Sequence, residues 1–200
     1  MASIVVPFRG VDGKRRLAQL PPDVHARLVL AMLADVVAAA CDVARTVVVT
    51  SDGDGRRVAR DGGAEVVDDP GGGQSAAVAR ALGALPADRV MILNADVPCV
   101  TAFDIRSLLA AARRGGIALV RSRDGRTNAL SLPAPELFQP LYGPRSASRF
   151  ERAARELGLA AVSVAIANIV DDVDTREDLD RVASRTGPRT QAALHELRAA

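Results

Sequence analysis

Aromatic residues and cysteines are scarce in this chain, and both shortages narrow what it can be. It has no tryptophan, one tyrosine and four phenylalanines among 200 residues, although 48% of the residues are hydrophobic. The interior must therefore be packed mainly with aliphatic side chains. The two cysteines, Cys41 and Cys99, have neither metal-ligand nor redox spacing, which gives no support to a cysteine metal site and favours a reducing, cytoplasmic location.

The chain also lacks a strong net charge and a long apolar run. Its 26 basic and 24 acidic residues leave a net charge of +2, so no overall field attracts nucleic acid or an anionic membrane. The start, MASIVVPFRG, is not a signal peptide, and the apolar stretch around 28–33 is interrupted by Arg27 and Asp35. We expect a soluble protein without nucleic-acid or membrane partners. A homodimer is compatible with the sequence, which does not reveal the oligomeric state.

Nucleophile motifs are missing as well. Neither His25 nor His195 has catalytic surroundings, and no GxSxG, HExxH or Cys/His arrangement occurs. Hydrolysis through a covalent nucleophile therefore finds no support.

What is present is an alternation of short β-branched runs and longer helical patterns, which indicates an α/β fold: a mostly parallel, mixed sheet flanked by helices. We predict strands at Ser3–Pro7, Thr46–Thr50, Glu65–Val67, Val90–Asn94, Ile117–Arg121 and Val162–Ala165. We predict helices at 22–41, 74–85, 102–113, 146–157 and 176–184.

Length favours a single domain, predicted at residues 1–185, with 186–200 as a C-terminal tail that is either flexible or a short helix. Residues 127–142 interrupt the alternation. TNALSL alternates like a strand and is followed by prolines and aromatic residues, which predicts an insertion over one edge of the sheet.

Two acidic clusters follow apolar runs: Asp96 in VMILNADVP, and Asp171, Asp172 and Asp174 in IANIVDDVDTREDL. Such runs are typical of buried parallel strands whose carboxyl ends open into a ligand crevice. Carboxylates gathered there repel one another unless a cation lies between them, and oxygen ligands of this kind suit Mg2+. The clusters therefore predict metal-assisted phosphate chemistry.

Two loops are candidates for binding phosphate. The first, after the first strand, carries Arg9, Lys14, Arg15 and Arg16, and this is the usual anion site of α/β sheets. The second holds three consecutive glycines at 71–73 before a helix, which allows close approach of a ligand to the backbone.

Each feature also has a simpler explanation. The basic loop is equally explained as a solvated surface, the glycines as a flexible turn, and Asp96 and Asp174 as parts of helix caps. Their combination around one predicted crevice favours the phosphate interpretation.

Six strings in order, VPFRG...GKRRL, EVVDDPGGG, LNADVP, TNALSL, YGPRS and DVDTREDL, resemble the 2-phospho-L-lactate guanylyltransferase family (CofC/FbiD), one of the Rossmann-like, GT-A-type nucleotidyltransferases. The resemblance implies transfer of GMP from GTP to the phosphate of phosphoenolpyruvate or 2-phospho-L-lactate, with release of pyrophosphate, in coenzyme F420 biosynthesis.

The resemblance also implies residue roles. Mg2+ would be held by Asp96, Asp172 and Asp174. Lys14 and Arg16, supported by Arg9, would bind the triphosphate, and with Asp96 they are the predicted catalytic residues. The other predicted substrate-binding residues are Gly71, Gly72 and Gly73 towards the nucleotide and Thr127, Gly143 and Ser146 around the phosphorylated acid.

The chain departs from the family pattern at the acceptor side. Arg9 replaces a usual lysine, the turn before TNAL is shorter, and Arg145 stands where glycine is common. Arg145, also a predicted substrate-binding residue, could add a fork to a carboxylate or phosphate, or could narrow the pocket. Other acceptors (3-phosphoglycerate, molybdopterin or a sugar phosphate) therefore stay open, as does a non-catalytic nucleotide-binding regulator, which the intact Asp96 and Asp174 disfavour.

Overall fold

A seven-stranded sheet forms the centre of the protein in a computed structural model that describes residues 2–13, 17, 20–86, 88–112 and 115–199. The strand order is β3-β2-β1-β4-β6-β5-β7. β6 runs antiparallel to β4 and β5, and the other neighbours are parallel, which confirms the mixed sheet. The strands are β1 (Ser3–Pro7), β2 (Arg45–Val49), β3 (Glu65–Val67), β4 (Val90–Leu93), β5 (Ile117–Arg121), β6 (Thr127–Leu132) and β7 (Ala161–Ser163).

The described residues form eight α-helices, several of which begin at typical start signals. Pro22 lies in the first turn of the first helix, Asp52 accepts from the Gly55 N–H to cap the second, and Thr101 caps the fourth in a capping box. The helices are α1 (Pro22–Cys41), α2 (Gly53–Asp61), α3 (Gln74–Leu82), α4 (Ala102–Ala111), α5 (Ser146–Glu156), α6 (Ala167–Val170), α7 (Arg176–Val182) and α8 (Pro188–Ala199).

Both faces of the sheet are covered, so its strands are apolar nearly throughout. Successive strand residues point to opposite faces: Ile4 packs in the core formed with α1, α4, α7 and α8, and Val5 in the core formed with α3 and α5. Three of the five aromatic residues lie on the second face, where Phe138, Tyr142 and Phe150 contact one another.

Residues 127–132 form a strand, as their alternation predicts, but the predicted position over a sheet edge is wrong. β6 lies between β4 and β5, and all six of its residues are buried. The polar side chains of Thr127, Asn128 and Ser131 are thus inside the protein, where polar groups need partners. The first two of them belong to the cavity described below.

The second acidic cluster follows a helix, so its predicted place at a strand end is also wrong. β7 ends at Ser163, and the apolar residues 167–170 form the short helix α6. Asp172 and Asp174 come directly after it. The helix α2, which has few apolar residues, was not predicted.

α1 covers one face of the sheet. By length and composition it is the one described helix that could cross a membrane, with a mean hydropathy of 1.8 over 18 residues. The expectation that Arg27 and Asp35 interrupt the apolar run too much for such a helix is therefore wrong. Half of that window is buried, with Leu28, Met32 and Val36 in the core. This is the ordinary position of a helix that covers a sheet.

α8 packs against α1. The buried carboxylate of Asp35 in α1 accepts hydrogen bonds from the backbone N–H groups of Arg189 (3.1 Å) and Thr190 (2.8 Å). Leu194 of α8 is buried in the same core. Residues 188–199 of the predicted tail are therefore a helix fixed to the body of the fold.

Candidate functional site

A cavity of about 460 Å3 opens at the carboxyl ends of β1 and β4. From β1 the sheet continues to β2 on one side and to β4 on the other, so the strand order reverses here, and α/β sheets bind ligands at such points. Of the predicted residues, those lining the cavity are Arg9, Gly72, Gly73, Asp96, Thr127, Gly143, Ser146, Asp172 and Asp174. Gly71 and Arg145 are not in the lining, and Lys14 and Arg16 lie outside the described residues.

Three carboxylates meet in this cavity. One oxygen from each of Asp96, Asp172 and Asp174 lies within 4.8 Å of the other two. The backbone N–H of Val173 donates to the Asp96 carbonyl oxygen at 2.9 Å, which joins the two acidic segments directly. Burial, together with the charge of Asp96, raises the pKa of Asp172 to about 6.

This group of side chains fits a hard divalent cation. Carboxylate oxygens are the ligands that Mg2+ and Mn2+ prefer, and the described lining offers neither thiolate nor imidazole for a softer metal. A cation among the three oxygens would remove the repulsion that raises the pKa of Asp172. The site therefore fits a divalent metal ion.

The neighbouring Asp171 is bound elsewhere. Arg123 Nε and Arg185 Nη2 donate to its two oxygens at 2.5 and 2.7 Å, and its side chain is only 5% exposed. Burial alone would raise the pKa of Asp171, but the two guanidinium groups lower it below the ordinary value. The predicted second cluster is thus divided between a structural carboxylate and two that face the cavity.

A chain of side-chain amides joins the glycine loop to the carboxylates. Gln74 Nε2 donates to Asn94 Oδ1 at 2.7 Å, and Asn94 Nδ2 donates to Asn128 Oδ1 at 3.3 Å. Asn128 Nδ2 then donates to Asp172 Oδ1 at 3.2 Å and to the Ile169 carbonyl oxygen at 2.8 Å. Because both of these partners are acceptors, they fix which way the Asn128 amide points. This series of amide hydrogen bonds therefore holds the Asp172 side chain in one orientation.

The glycine loop brings the backbone close to the cavity. Gly71, Gly72 and Gly73 have φ values of +80°, +82° and +91°, a region that residues with a side chain rarely adopt. Among the described residues no side chain caps α3, which starts directly after the loop, so its first N–H groups are available to an anion. Arg9 reaches the loop from the first strand end, with Nη2 3.4 Å from where a Cβ of Gly73 would lie.

Two buried hydroxyls line another part of the cavity. Thr127 Oγ1 at the start of β6 and Ser146 Oγ at the start of α5 are 3.0 Å apart and hydrogen bonded. Gly143, with φ +124°, lies beside them in the lining. Arg145 immediately precedes α5 with a left-handed φ of 55°; because it is not in the lining, its contact with an acceptor stays a prediction.

Sequence reasoning missed several residues that line the cavity: Gln74, Asn94, Arg126, Asn128 and Tyr142. For the two asparagines a signal existed, because each follows or interrupts an apolar strand inside a noted motif, LNAD or TNAL. The glutamine at a helix start and the tyrosine among prolines gave no such signal.

Comparison with known sequences agrees with this geometry. A family model described as "Guanylyl transferase CofC like" matches residues 2–198. A phosphoenolpyruvate guanylyltransferase of Conexibacter woesei is 34% identical over 96% of this chain and 91% of the relative. A 3-phospho-D-glycerate guanylyltransferase of Phenylobacterium zucineum is also 34% identical, over 99% of this chain and 97% of the relative.

Comparison with solved structures concerns the fold alone. A putative nucleotide-diphospho-sugar transferase from Desulfovibrio desulfuricans G20 superposes with a TM-score of 0.79 at 16% identity, covering 99% of this chain and 95% of that one. The likeness confirms the predicted α/β nucleotidyltransferase-type fold.

Proposed function

The chain belongs to the family of CofC-like guanylyl transferases, and we propose that it transfers GMP from GTP to the phosphate of phosphoenolpyruvate or 2-phospho-L-lactate. Pyrophosphate is the second product, and the reaction is a step towards coenzyme F420. The observation that carries the proposal is the single cavity onto which the three carboxylates, the glycine loop and the Thr127–Ser146 pair all open.

The proposed reaction needs no general base. An oxygen of the acceptor phosphate attacks the α-phosphorus of GTP, and the bond from that phosphorus to the leaving pyrophosphate oxygen breaks. The attacking phosphate already carries about −1.5 to −2 charges at neutral pH. Neither His25 nor His195 lines the cavity, in keeping with such a reaction. The protein's task is to align two anions and offset their repulsion.

Individual groups have distinct tasks in this proposal. The glycine loop, the α3 N-terminus and Arg9 bind the nucleotide phosphates together with Lys14 and Arg16, and the Thr127 and Ser146 hydroxyls bind the acceptor. Asp96, Asp172 and Asp174 would hold Mg2+, whose charge stabilises the transferring phosphoryl group when it is bound. The amide of Asn128 keeps Asp172 turned towards that position.

We further propose that the protein acts in the cytoplasm. The cysteines Cys41 and Cys99 are both free, which suits the reducing cytoplasm in which GTP and phosphorylated acids are available. GTP and the acid are the proposed partners, with no nucleic acid and no membrane. The homodimer stays a prediction, which analytical ultracentrifugation tests.

The test is a panel of acceptors at fixed GTP and Mg2+. We expect pyrophosphate release with phosphoenolpyruvate or 2-phospho-L-lactate, and preference for GTP over ATP and CTP. Asp96→Asn should abolish turnover. Absence of product with every acid would contradict the proposal. It would favour the alternative that the protein is a non-catalytic, nucleotide-binding regulator.

A second acceptor, 3-phosphoglycerate, is favoured by the relative from Phenylobacterium zucineum, whose identity to this chain equals that of the phosphoenolpyruvate enzyme. Direct competition among the acids, with molybdopterin and a sugar phosphate included, identifies the acceptor.

A further inference from the structure

Arg126 lines the cavity and stands just outside the motif TNALSL. It is the last residue of the turn between β5 and β6 and directly precedes Thr127. Both residues line the cavity. Arg126 therefore lies next in the chain to the residue that carries one hydroxyl of the buried pair.

The turn that carries Arg126 is held by several hydrogen bonds. The Ser122 N–H donates to the Arg126 carbonyl oxygen at 2.9 Å, and the Arg126 N–H donates to Asp124 Oδ1 at 3.1 Å. Gly125, at φ +83°, supplies the left-handed residue that so tight a turn requires. The backbone of Arg126 is thus fixed relative to β6.

The side chain of Arg126 is held only weakly. Its Nε lies 3.0 Å from Asp124 Oδ2, and the two side chains are 54% and 52% exposed. Ion pairs this exposed contribute little, about 0–1 kcal/mol. A carboxylate that enters the cavity can therefore replace Asp124 at small cost and gain the two parallel hydrogen bonds that a guanidinium offers.

Three other nearby arginines are placed differently, and Arg149, which does not line the cavity, has Nη1 4.0 Å from where a Cβ of Gly143 would lie. Arg9 lies against Gly73 in the glycine loop, Arg123 is bound to Asp171, and Arg121 to Ser148 and Glu151. Among the described residues, Arg9 and Arg126 are the cations in the cavity lining. Of these two, Arg126 is the one next to Thr127 in the chain.

We propose that Arg126 binds the carboxylate of the acceptor acid and so determines that the enzyme selects a phosphorylated acid over a phosphate ester that lacks a carboxylate. The inference rests on the proposed function, since it assigns the acceptor's second anionic group to a residue. A guanidinium fork recognises a planar carboxylate, whereas an alcohol or a vinyl group offers it no negative charge.

The experiment compares acceptors that differ only in the carboxylate: 3-phosphoglycerate against glycerol 3-phosphate, and phosphoenolpyruvate against vinyl phosphate. For Arg126→Ala we expect kcat/KM for the acid to fall about 10- to 100-fold, the usual value of a hydrogen-bonded charge. The loss should appear in KM for the acid, with KM for GTP unchanged. Arg126→Lys should restore part of it.

The matched control is Arg57→Ala. Arg57 forms an even more exposed pair with Asp54, 2.9 Å apart in α2, and does not line the cavity, so the kinetics of this variant should equal those of the wild type. Equal losses for the acid and for the matching ester without a carboxylate in Arg126→Ala, or no loss for either, would overturn the inference.

A binding measurement tests the role of Arg126 independently of the proposed reaction. If no acceptor is turned over, the proposed function fails, and calorimetric titration of 3-phosphoglycerate into the wild type and Arg126→Ala, with Mg2+ and a non-hydrolysable GTP analogue, decides the role of Arg126. Weaker binding to the variant supports it. Equal binding, or no binding to the wild type, contradicts it.

Discussion

Two carboxylates that are adjacent in the sequence lie in opposite electrostatic surroundings. Asp171 is bound by Arg123 and Arg185, with Arg181 4.0 Å away, and its pKa is lowered despite burial. Asp172 is half-buried beside two other carboxylates, and its pKa is raised to about 6. The protein supplies the counterions of Asp171, whereas the three cavity carboxylates are the proposed ligands of a cation. Asp171 is thus an ion-pair residue of the fold, and Asp172 is a residue of the candidate site.

The largest effect should come from Asp172→Asn. The neutral amide weakens a metal site whose charge stabilisation is worth several kcal/mol, so activity should fall about 100- to 10,000-fold. In EDTA the variant should be as stable as the wild type or more stable, because a repelled buried carboxylate is gone. Steady-state rates and thermal melts measure both. A destabilised variant with normal activity would reverse the comparison.

A smaller loss is expected for Asn128→Asp. The new carboxylate cannot donate to Asp172 Oδ1, so the Mg2+ concentration for half-maximal activity should rise about 10- to 100-fold, as for other groups that orient metal ligands.

The control for this change is Asn168→Asp. Asn168 Nδ2 donates to Asp104 Oδ2 at 3.0 Å, a similar amide-carboxylate bond outside the cavity lining. This variant should keep the Mg2+ requirement of the wild type. A shift of equal size in both variants would show that the Asn128 effect is not specific to the metal site.

The pH dependence of stability should distinguish the two aspartates by sign. The raised pKa of Asp172 means that the metal-free protein loses stability as pH rises from about 4 through about 6. The lowered pKa of Asp171 means that its contribution is present above the ordinary value of 3.8 and is lost as pH falls below it. Urea unfolding in EDTA should show the first trend in the wild type and not in Asp172→Asn.

The smallest effect should come from Asp171→Asn. Its arginine partners are partly exposed, so we expect a loss of about 1–2 kcal/mol in the free energy of unfolding. Activity per folded molecule should stay within about threefold, because Asp171 is bound by Arg123 and Arg185 and does not line the cavity. Urea titration and initial rates measure this. Strong inactivation of a stable variant would place Asp171 in the site.

The sequence was sufficient for much of the sheet and for the acidic triad. Residues 90–93 are uniformly apolar and buried, and the polar residues after such a strand must lie at its exposed end. The prediction that Asp96 lies in a crevice is confirmed, because Asp96 lines the cavity. Asp172 and Asp174 also line the cavity, as predicted, although the segment before them is a helix rather than a strand.

The position of β6 could not be read from the sequence in the same way. The alternation in TNALSL specifies a strand but not its neighbours, since pairing with β4 and β5 is decided by the packing of the whole sheet. The roles of Asn128 and Arg126 depend on that pairing. Both residues reach the cavity only because β6 starts beside the end of β4.

The most direct test measures pyrophosphate release and the GMP-linked acid, by mass spectrometry, for the wild type, Asp171→Asn and Asp172→Asn. GTP, Mg2+ and the three acids (phosphoenolpyruvate, 2-phospho-L-lactate and 3-phosphoglycerate) are supplied separately. We predict product from the wild type and Asp171→Asn with at least one acid, and at least 100-fold less from Asp172→Asn. No product from the wild type with any acid, or equal product from Asp172→Asn, would contradict a carboxylate-dependent guanylyl transfer.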